Sequence, residues 1–198
     1  CLSISLDARL CNTGGVLAKI PNTPCNKCYA LRGFYNMPYT RDAMEERLKM
    51  MTSAKFIPRM VRLLKDEHYF RWFDSGDIQS EKMGHDILTI AEQTPKVRHW
   101  LPSKEYKWWR NITRERPIPS NVTLRISTPV DDRPPIPRWN YTSTTYTYEA
   151  SPAIAGFRCI AHENKETYGK YECGTCRACW NPGINNIAYP KRYESKGI

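Results

Sequence analysis

The sequence predicts an α/β fold: a partial or small (βα) barrel, or an open parallel sheet, with cysteine-rich loops near both ends of the chain. Three observations lead there. Short runs of β-branched and aromatic residues alternate with segments of helical period at intervals of about 25 residues, the pattern of βαβ units. The chain has 198 residues, short of the ~250 usual for a full eightfold barrel. Its eight cysteines stand before residue 30 or after residue 158, leaving the middle to ordinary sheet and helix. Hydrophobic content of 40% and charged content of 25% suit one globular domain over residues 1–198. Within it, 1–30 is an N-terminal cysteine loop, 31–150 holds the βα units and 151–198 is a C-terminal cysteine-rich segment.

Leu2-Ser3-Ile4-Ser5-Leu6 alternates apolar and polar side chains and reads as a half-buried first strand. Residues 11–28 carry Gly14-Gly15, two prolines and three cysteines, the composition of a loop wrapped on a metal. From Cys28-Tyr29-Ala30 the chain opens toward a helical stretch. Thr40 is placed to cap a helix with Asp42, Glu45 and Glu46 in its early turns and Met44, Leu48 and Met51 on its apolar side. Phe56-Ile57, Met60-Val61 and Leu63-Leu64 make the next helix, with Pro58 near its start.

Tyr69-Phe70-Arg71-Trp72-Phe73 is a strand by its aromatic content and ends in the loop chemistry of Asp74-Ser75-Gly76-Asp77. Ser80 caps a helix running to about Gln93, stopped by Pro95. Val97–Leu101 is the next strand, Ser103 caps a short helix through Trp108, and Val122–Ile126 is a further strand. Residues 129–139 are proline-rich and irregular. Tyr146-Thr147-Tyr148 belongs to another strand, and Ile184–Tyr189 to an added one after Trp180.

Sites in parallel α/β folds gather where strands end. That rule selects Asp74, Ser75 and Asp77, then Ser103, Lys104 and Glu105, then Ser127-Thr128. Asp74, Asp77 and Lys104 are the candidate cofactor-binding residues among them, and a polar turn capping its own helix is the competing account of 74–77. His68, His85, His99 and His162 show no paired ligand spacing and read as structural, with His162 kept as a candidate because it lies among the cysteines.

Lys and Arg number 30 against 20 Asp and Glu, a formal net charge of +10. Such a balance suits a polyanion, nucleic acid first. It also suits a four-thiolate cluster, which is anionic and needs nearby cations: Lys27 and Arg177 lie inside cysteine motifs, Lys165 and Lys170 between Cys159 and Cys173. No apolar run approaches membrane-spanning length, so no membrane partner is expected. Clustered C-x2-C pairs favour a reducing compartment, hence a cytoplasmic location.

The most informative run is Cys173-Gly174-Thr175-Cys176-Arg177-Ala178-Cys179. A zinc knuckle takes two sulfurs from one C-x2-C turn, and a third at the same spacing is surplus. A cubane iron–sulfur cluster has a separate iron for each thiolate, and bacterial ferredoxins wrap it with C-x2-C-x2-C. Trp180-Asn181-Pro182 stands where their fourth cysteine would be, so the fourth ligand comes from elsewhere. Cys159 lies upstream, and Cys25-Asn26-Lys27-Cys28 is a second C-x2-C. Cys11 to Cys25 and Cys159 to Cys173 share the spacing C-x13-C. Two sets are therefore open, Cys1, Cys11, Cys25, Cys28 and Cys159, Cys173, Cys176, Cys179; so is one site closed by both chain ends. A disulfide framework has no need of so tight a triplet.

Cys11, Cys25-Asn26-Lys27-Cys28-Tyr29-Ala30 and Cys159…Cys173-x2-Cys176-x2-Cys179-Trp180, with Asp74-Ser75-Gly76-Asp77 after an aromatic strand, resemble the bacteriophage gene product 88 family. The resemblance implies a phage protein of the infected cell's cytoplasm. Such proteins are distantly similar to radical S-adenosylmethionine enzymes, which imply a partial barrel with a cluster near the strand ends. The hallmark of those enzymes, C-x3-C-x2-C, is absent here: Pro21 stands four residues before Cys25.

The expectation is a protein that binds one or two [4Fe–4S] clusters through Cys11, Cys25, Cys28, Cys159, Cys173, Cys176 and Cys179 and exchanges electrons with an unidentified redox partner. The alternatives are a radical S-adenosylmethionine-like enzyme using Asp74, Asp77 or Lys104, and a zinc-stabilised nucleic-acid-binding protein.

Overall fold

Alternating side chains on short β-prone runs give seven strands among the described residues of the computed structural model, which are 1–161, 164, 167, 169 and 172–191. They are β1 (Leu2–Ser5), β2 (Tyr69–Ser75), β3 (Arg98–Ser103), β4 (Val122–Ser127), β5 (Thr142–Tyr146), β6 (Phe157–Arg158) and β7 (Asn186–Pro190). All pairings are parallel, in the order β1-β2-β3-β4-β5-β7-β6. The outer strands β1 and β6 do not pair, so the sheet is a partial α/β barrel rather than a closed one. His162, Lys165 and Lys170 lie outside the described residues.

A parallel sheet needs cover on both faces. One face takes the helices. α2 (Pro38–Met51) leads into α3 (Phe56–Leu64), α4 (Glu81–Gln93) joins β2 to β3, and α5 (Tyr106–Glu115) joins β3 to β4. A short α1 (Asn12–Leu17) lies inside the N-terminal cysteine loop. The apolar stripes at period 3.6, with Phe56, Met60 and Leu64 of α3, Ile87, Leu88 and Ala91 of α4, and Trp109 and Ile112 of α5, meet Phe70, Trp72, Leu101, Leu124 and Ile126 in one core. α4 and α5 approach so closely at Gly84 that a Cβ there would lie 2.4 Å from Ile112 Cδ1. His99 is buried on this face as a neutral imidazole. Trp72 Nε1 donates to its Nδ1 at 3.1 Å, which leaves Nε2–H to donate to Thr94 Oγ1 at 3.0 Å, and that hydroxyl donates to the Ile90 carbonyl.

The other face, formed by alternate residues Tyr69, Trp100, Thr123 and Arg125, is covered by the C-terminal segment. A 3₁₀ turn at Ala178–Trp180 packs Trp180 against Tyr69 and Trp100. Arg125 is completely buried there and ties the segment down. Its Nε donates to the Cys179 carbonyl at 2.9 Å, Nη1 to Ile184 at 2.9 Å, and Nη2 to Asn181 at 3.0 Å and Ala178 at 3.2 Å.

Several boundaries differ from the sequence reading. α2 begins at Pro38, which suits the first helical position, so Thr40 sits inside the first turn, its hydroxyl buried without a partner among the described residues. Ser103 does not cap a helix; it ends β3 and donates to Asp77, and α5 starts later and runs to Glu115. The fifth strand is the threonine-rich Thr142–Tyr146, because the hydroxyls of 142 and 144 find acceptors inside the fold. β6 has too few residues to show a period, and β7 inserts between it and β5.

Two outcomes follow from these buried groups. Burial lowers the His99 pKa to about 4, from 6.5 in the open chain. Stability present above pH 6.5 is therefore lost as pH falls through 4, by about 3 kcal/mol; His99→Gln should flatten that slope in urea titrations across this range. Arg125→Met should cost about 3 kcal/mol or more, since the carbonyls of Ala178, Cys179, Asn181 and Ile184 lose their donor, two of these bonds being fully buried, and amide exchange should rise first over residues 178–185.

Candidate metal centre

All eight cysteines are unbridged, and the fold gathers seven of them into two neighbourhoods. The first follows the ends of β1, β2 and β3. After β1 the chain turns at Ala8–Leu10 and enters α1, at whose start Cys11 stands. The tie to the sheet is Glu105: its carboxylate accepts from the Thr13 backbone N–H at 2.8 Å and the Thr13 hydroxyl at 2.7 Å. Gly14 then lies between two sulfurs. A Cβ at Gly14 would be 2.9 Å from Cys11 Cβ, 3.6 Å from Cys11 Sγ and 3.7 Å from Cys25 Sγ. Cys28 is close enough to bear on both thiols, as Asp77 is.

Burial pushes the Cys11 thiol far up, helped by the charges of Asp77, Cys25, Cys28 and Glu105. Burial also raises Cys25, opposed by the cation of Lys104. A sulfur-only donor set with a lysine beside it suits an anionic metal group. As they stand, no three Cys, His, Asp or Glu side chains among the described residues converge on a single ion. What fits is the donor chemistry and the space that Gly14 leaves.

Cys1 does not join this set. It is exposed at the start of β1, and the four-residue strand runs between it and the strand ends, a separation of roughly 13 Å. The allocation of Cys1 to the first four-cysteine set therefore fails, and three thiols remain.

The second neighbourhood lies on the sheet's other face. Cys159 follows β6, its N–H donating to Ala188 of β7. Cys176 and Cys179 pack with it and with Trp180 and Tyr189. Cys173 accepts the Cys176 N–H at 2.9 Å through its carbonyl, and its thiol bears on Cys179. Burial raises the Cys179 thiol to about 12, although its sulfur lies 3.2 Å from the Tyr189 hydroxyl. Seven of the predicted ligands are thus sorted three and four, and the thiols of each group bear on one another.

Between the two sets stands Arg71, which the sequence reading places in a strand but not among the candidate site residues. Its guanidinium stacks 4.6 Å from the Trp100 ring centre, and its charge reaches Tyr29 and Tyr35 on one side and Tyr189 on the other. A charged residue in an alternating strand was the available signal, because inward positions of a barrel strand carry the interior chemistry.

The carboxylates predicted as cofactor-binding have other partners. Asp77 is buried, accepting from Ser103 Oγ at 2.7 Å, Lys104 N–H at 2.7 Å and Ile78 N–H at 2.8 Å; burial still raises its pKa to about 7. Asp74 accepts from Ser5 Oγ at 2.6 Å and Tyr35 hydroxyl at 2.9 Å, and its carbonyl from Tyr29. A bulge sets it there: β2 carries two extra residues against β1, and Phe73 adopts φ +55°. Such strain costs about 1–3 kcal/mol and gathers at sites. Of the three, Lys104 is the one that brings a cation to a thiol, that of Cys25.

The sequence profile of a family described as gene product 88 matches residues 3–182, a span that takes in both cysteine neighbourhoods and leaves out Cys1. No curated protein and no solved structure matches the chain. Among the described residues no helix is long and apolar enough to cross a membrane.

Thiol reactivity in the metal-free protein tests the tether. Cys11 and Cys179 should be the slowest to react with a disulfide reagent at pH 8, being buried and neutral. Glu105→Ala should speed the Cys11 reaction by about tenfold while leaving Cys179 unchanged, as mass-spectrometric mapping of labelled thiols would read.

Proposed function

This chain belongs to the gene product 88 family, and on that footing we propose that it is a phage-encoded iron–sulfur protein with a redox, electron-transferring role. The observation that supports this reading is the division of seven cysteines into a set of four beside the C-terminal cover, with Cys179 buried, and a strand-end set of three. Cys159, Cys173, Cys176 and Cys179 would hold a closed [4Fe–4S] cluster, and Cys11, Cys25 and Cys28 a second. A bound cluster supplies one-electron chemistry.

The chain's own residues prepare both places. Arg125 fixes the backbone of 178–184, so the Cys179 sulfur is held before any metal arrives. Trp180 and Trp100 keep water from that side, and the Tyr189 hydroxyl faces the Cys179 sulfur. At the strand ends Lys104 supplies positive charge near Cys25. Buried neutral thiols must lose protons to become ligands, so loading releases protons and strengthens as pH rises.

The second reading is an enzyme of the radical S-adenosylmethionine-like kind, and a specific observation favours it: without Cys1, the strand-end set has three thiols. Three leave one corner of a cubane open to a small ligand. Lys104 would then serve at that ligand, since Asp74 and Asp77 are engaged by Ser5, Tyr35, Ser103 and backbone N–H groups.

Anaerobic purification with iron, acid-labile sulfide and zinc analysis tests the proposal. The expected outcome is about four iron and four sulfide per filled site. Cys176→Ser should lose the four-cysteine site and keep the other; Cys28→Ser should do the reverse. Stoichiometric zinc without sulfide overturns both readings. Production of 5′-deoxyadenosine from S-adenosylmethionine by the reduced protein, above a Cys28→Ser control, selects the enzyme.

A further inference from the structure

Beneath the strand starts, away from Cys11 and Cys25, the C-terminal segment leaves a cavity of about 400 Å³. That lies within the range of small-molecule sites, roughly 300–1,000 Å³. Its walls are Tyr69 and Arg98 at the starts of β2 and β3, Phe157 at the start of β6, and Cys176, Arg177 and Trp180 of the covering segment. Only one cysteine reaches it, so it is a neighbour of the four-thiol set and not its housing.

The chemistry of the walls is specific in kind. Tyr69 and Trp180 meet edge to face with centroids 5.7 Å apart, and Trp100 backs Trp180 at 5.1 Å. This gives a rigid aromatic floor with Phe157 across from it. Arg177 is anchored through Nη1 to the carbonyls of Gly174 at 2.9 Å and Cys176 at 2.7 Å, and its guanidinium lies 5.3 Å from the Tyr69 ring centre. Arg98 has an exposed side chain with no protein partner among the described residues. No carboxylate lines the cavity among those residues. Two guanidiniums without carboxylate partners among the described residues, beside the half-buried rings of Tyr69 and Phe157, on a chain of net charge +10, match one ligand class.

We propose that this cavity binds a nucleotide, the base stacking on the aromatic floor and the phosphate meeting Arg98 and Arg177. Stacking on such rings is worth about 1–3 kcal/mol per base and tolerates any base, and arginine pairs with phosphate through a planar fork. The nucleotide comes either as a free mononucleotide or as one residue of a single strand. The proposal stands on this cavity alone and does not depend on what the cysteines hold.

The test uses the full-length protein as purified, with two probes: a fluorescein-labelled single-stranded 12-mer followed by anisotropy, and AMP followed by quenching of tryptophan emission. The cavity variants are Arg98→Ala and Arg177→Ala. The charge-matched controls are Arg59→Ala and Arg62→Ala, each made singly on α3, away from the cavity. Far-ultraviolet circular dichroism confirms that each is folded. The expected result is that either cavity variant weakens binding about tenfold and lowers the salt slope by about one, while the controls change neither. AMP binding that competes with the 12-mer identifies a free nucleotide as sufficient; 12-mer binding without AMP binding identifies a strand. Equal losses in cavity and control variants mean diffuse attraction to a basic protein and overturn the proposal, as does the absence of binding by both probes.

Discussion

One buried guanidinium holds the last part of this fold in place. Arg125 lies mid-strand in β4, and its four shortest hydrogen bonds all go to carbonyls of residues 178–184. A 3₁₀ turn against a sheet has few partners of its own, and buried carbonyls without donors would be costly. The arginine resolves both demands, its planar fork reaching several acceptors from one position. Cys179 reaches the Tyr189 hydroxyl, and Trp180 the wall of the cavity below, because this clamp sets their backbone.

The helical face and the covered face divide the labour. The first is an apolar core crossed by a short polar chain, Trp72–His99–Thr94. The second is rich in charge and aromatic rings. There Arg71 and Arg125 are held by rings and carbonyls rather than carboxylates, an arrangement that leaves the thiols with cations nearby. An anionic metal group gains from that field, while burial keeps the empty Cys179 thiol protonated.

The strand-end site is built by tethers. Glu105 grips α1, Asp77 organises the turn that carries Glu105, and the β2 bulge aims Asp74 at Ser5 and Tyr35. Asp74 and Asp77, the two acidic candidates of the sequence, brace the strand ends beside Cys11, Cys25 and Cys28.

What the sequence by itself determined is what local period and composition encode. The helices 56–64 and 81–93, the Ser80 cap, the strand at 122 and the added strand before residue 190 were legible because burying one stripe or one face imposes a repeat on neighbouring residues. The cysteine spacings were legible for the same reason. The tertiary structure alone decided the strand order, with β7 between β5 and β6, the separation of Cys1 from Cys11, and the roles of Arg71, Glu105 and Arg125. Each depends on contacts between segments tens of residues apart, such as Glu105 with Thr13 or Arg125 with Cys179, and no repeat within a segment records which distant partner it will meet.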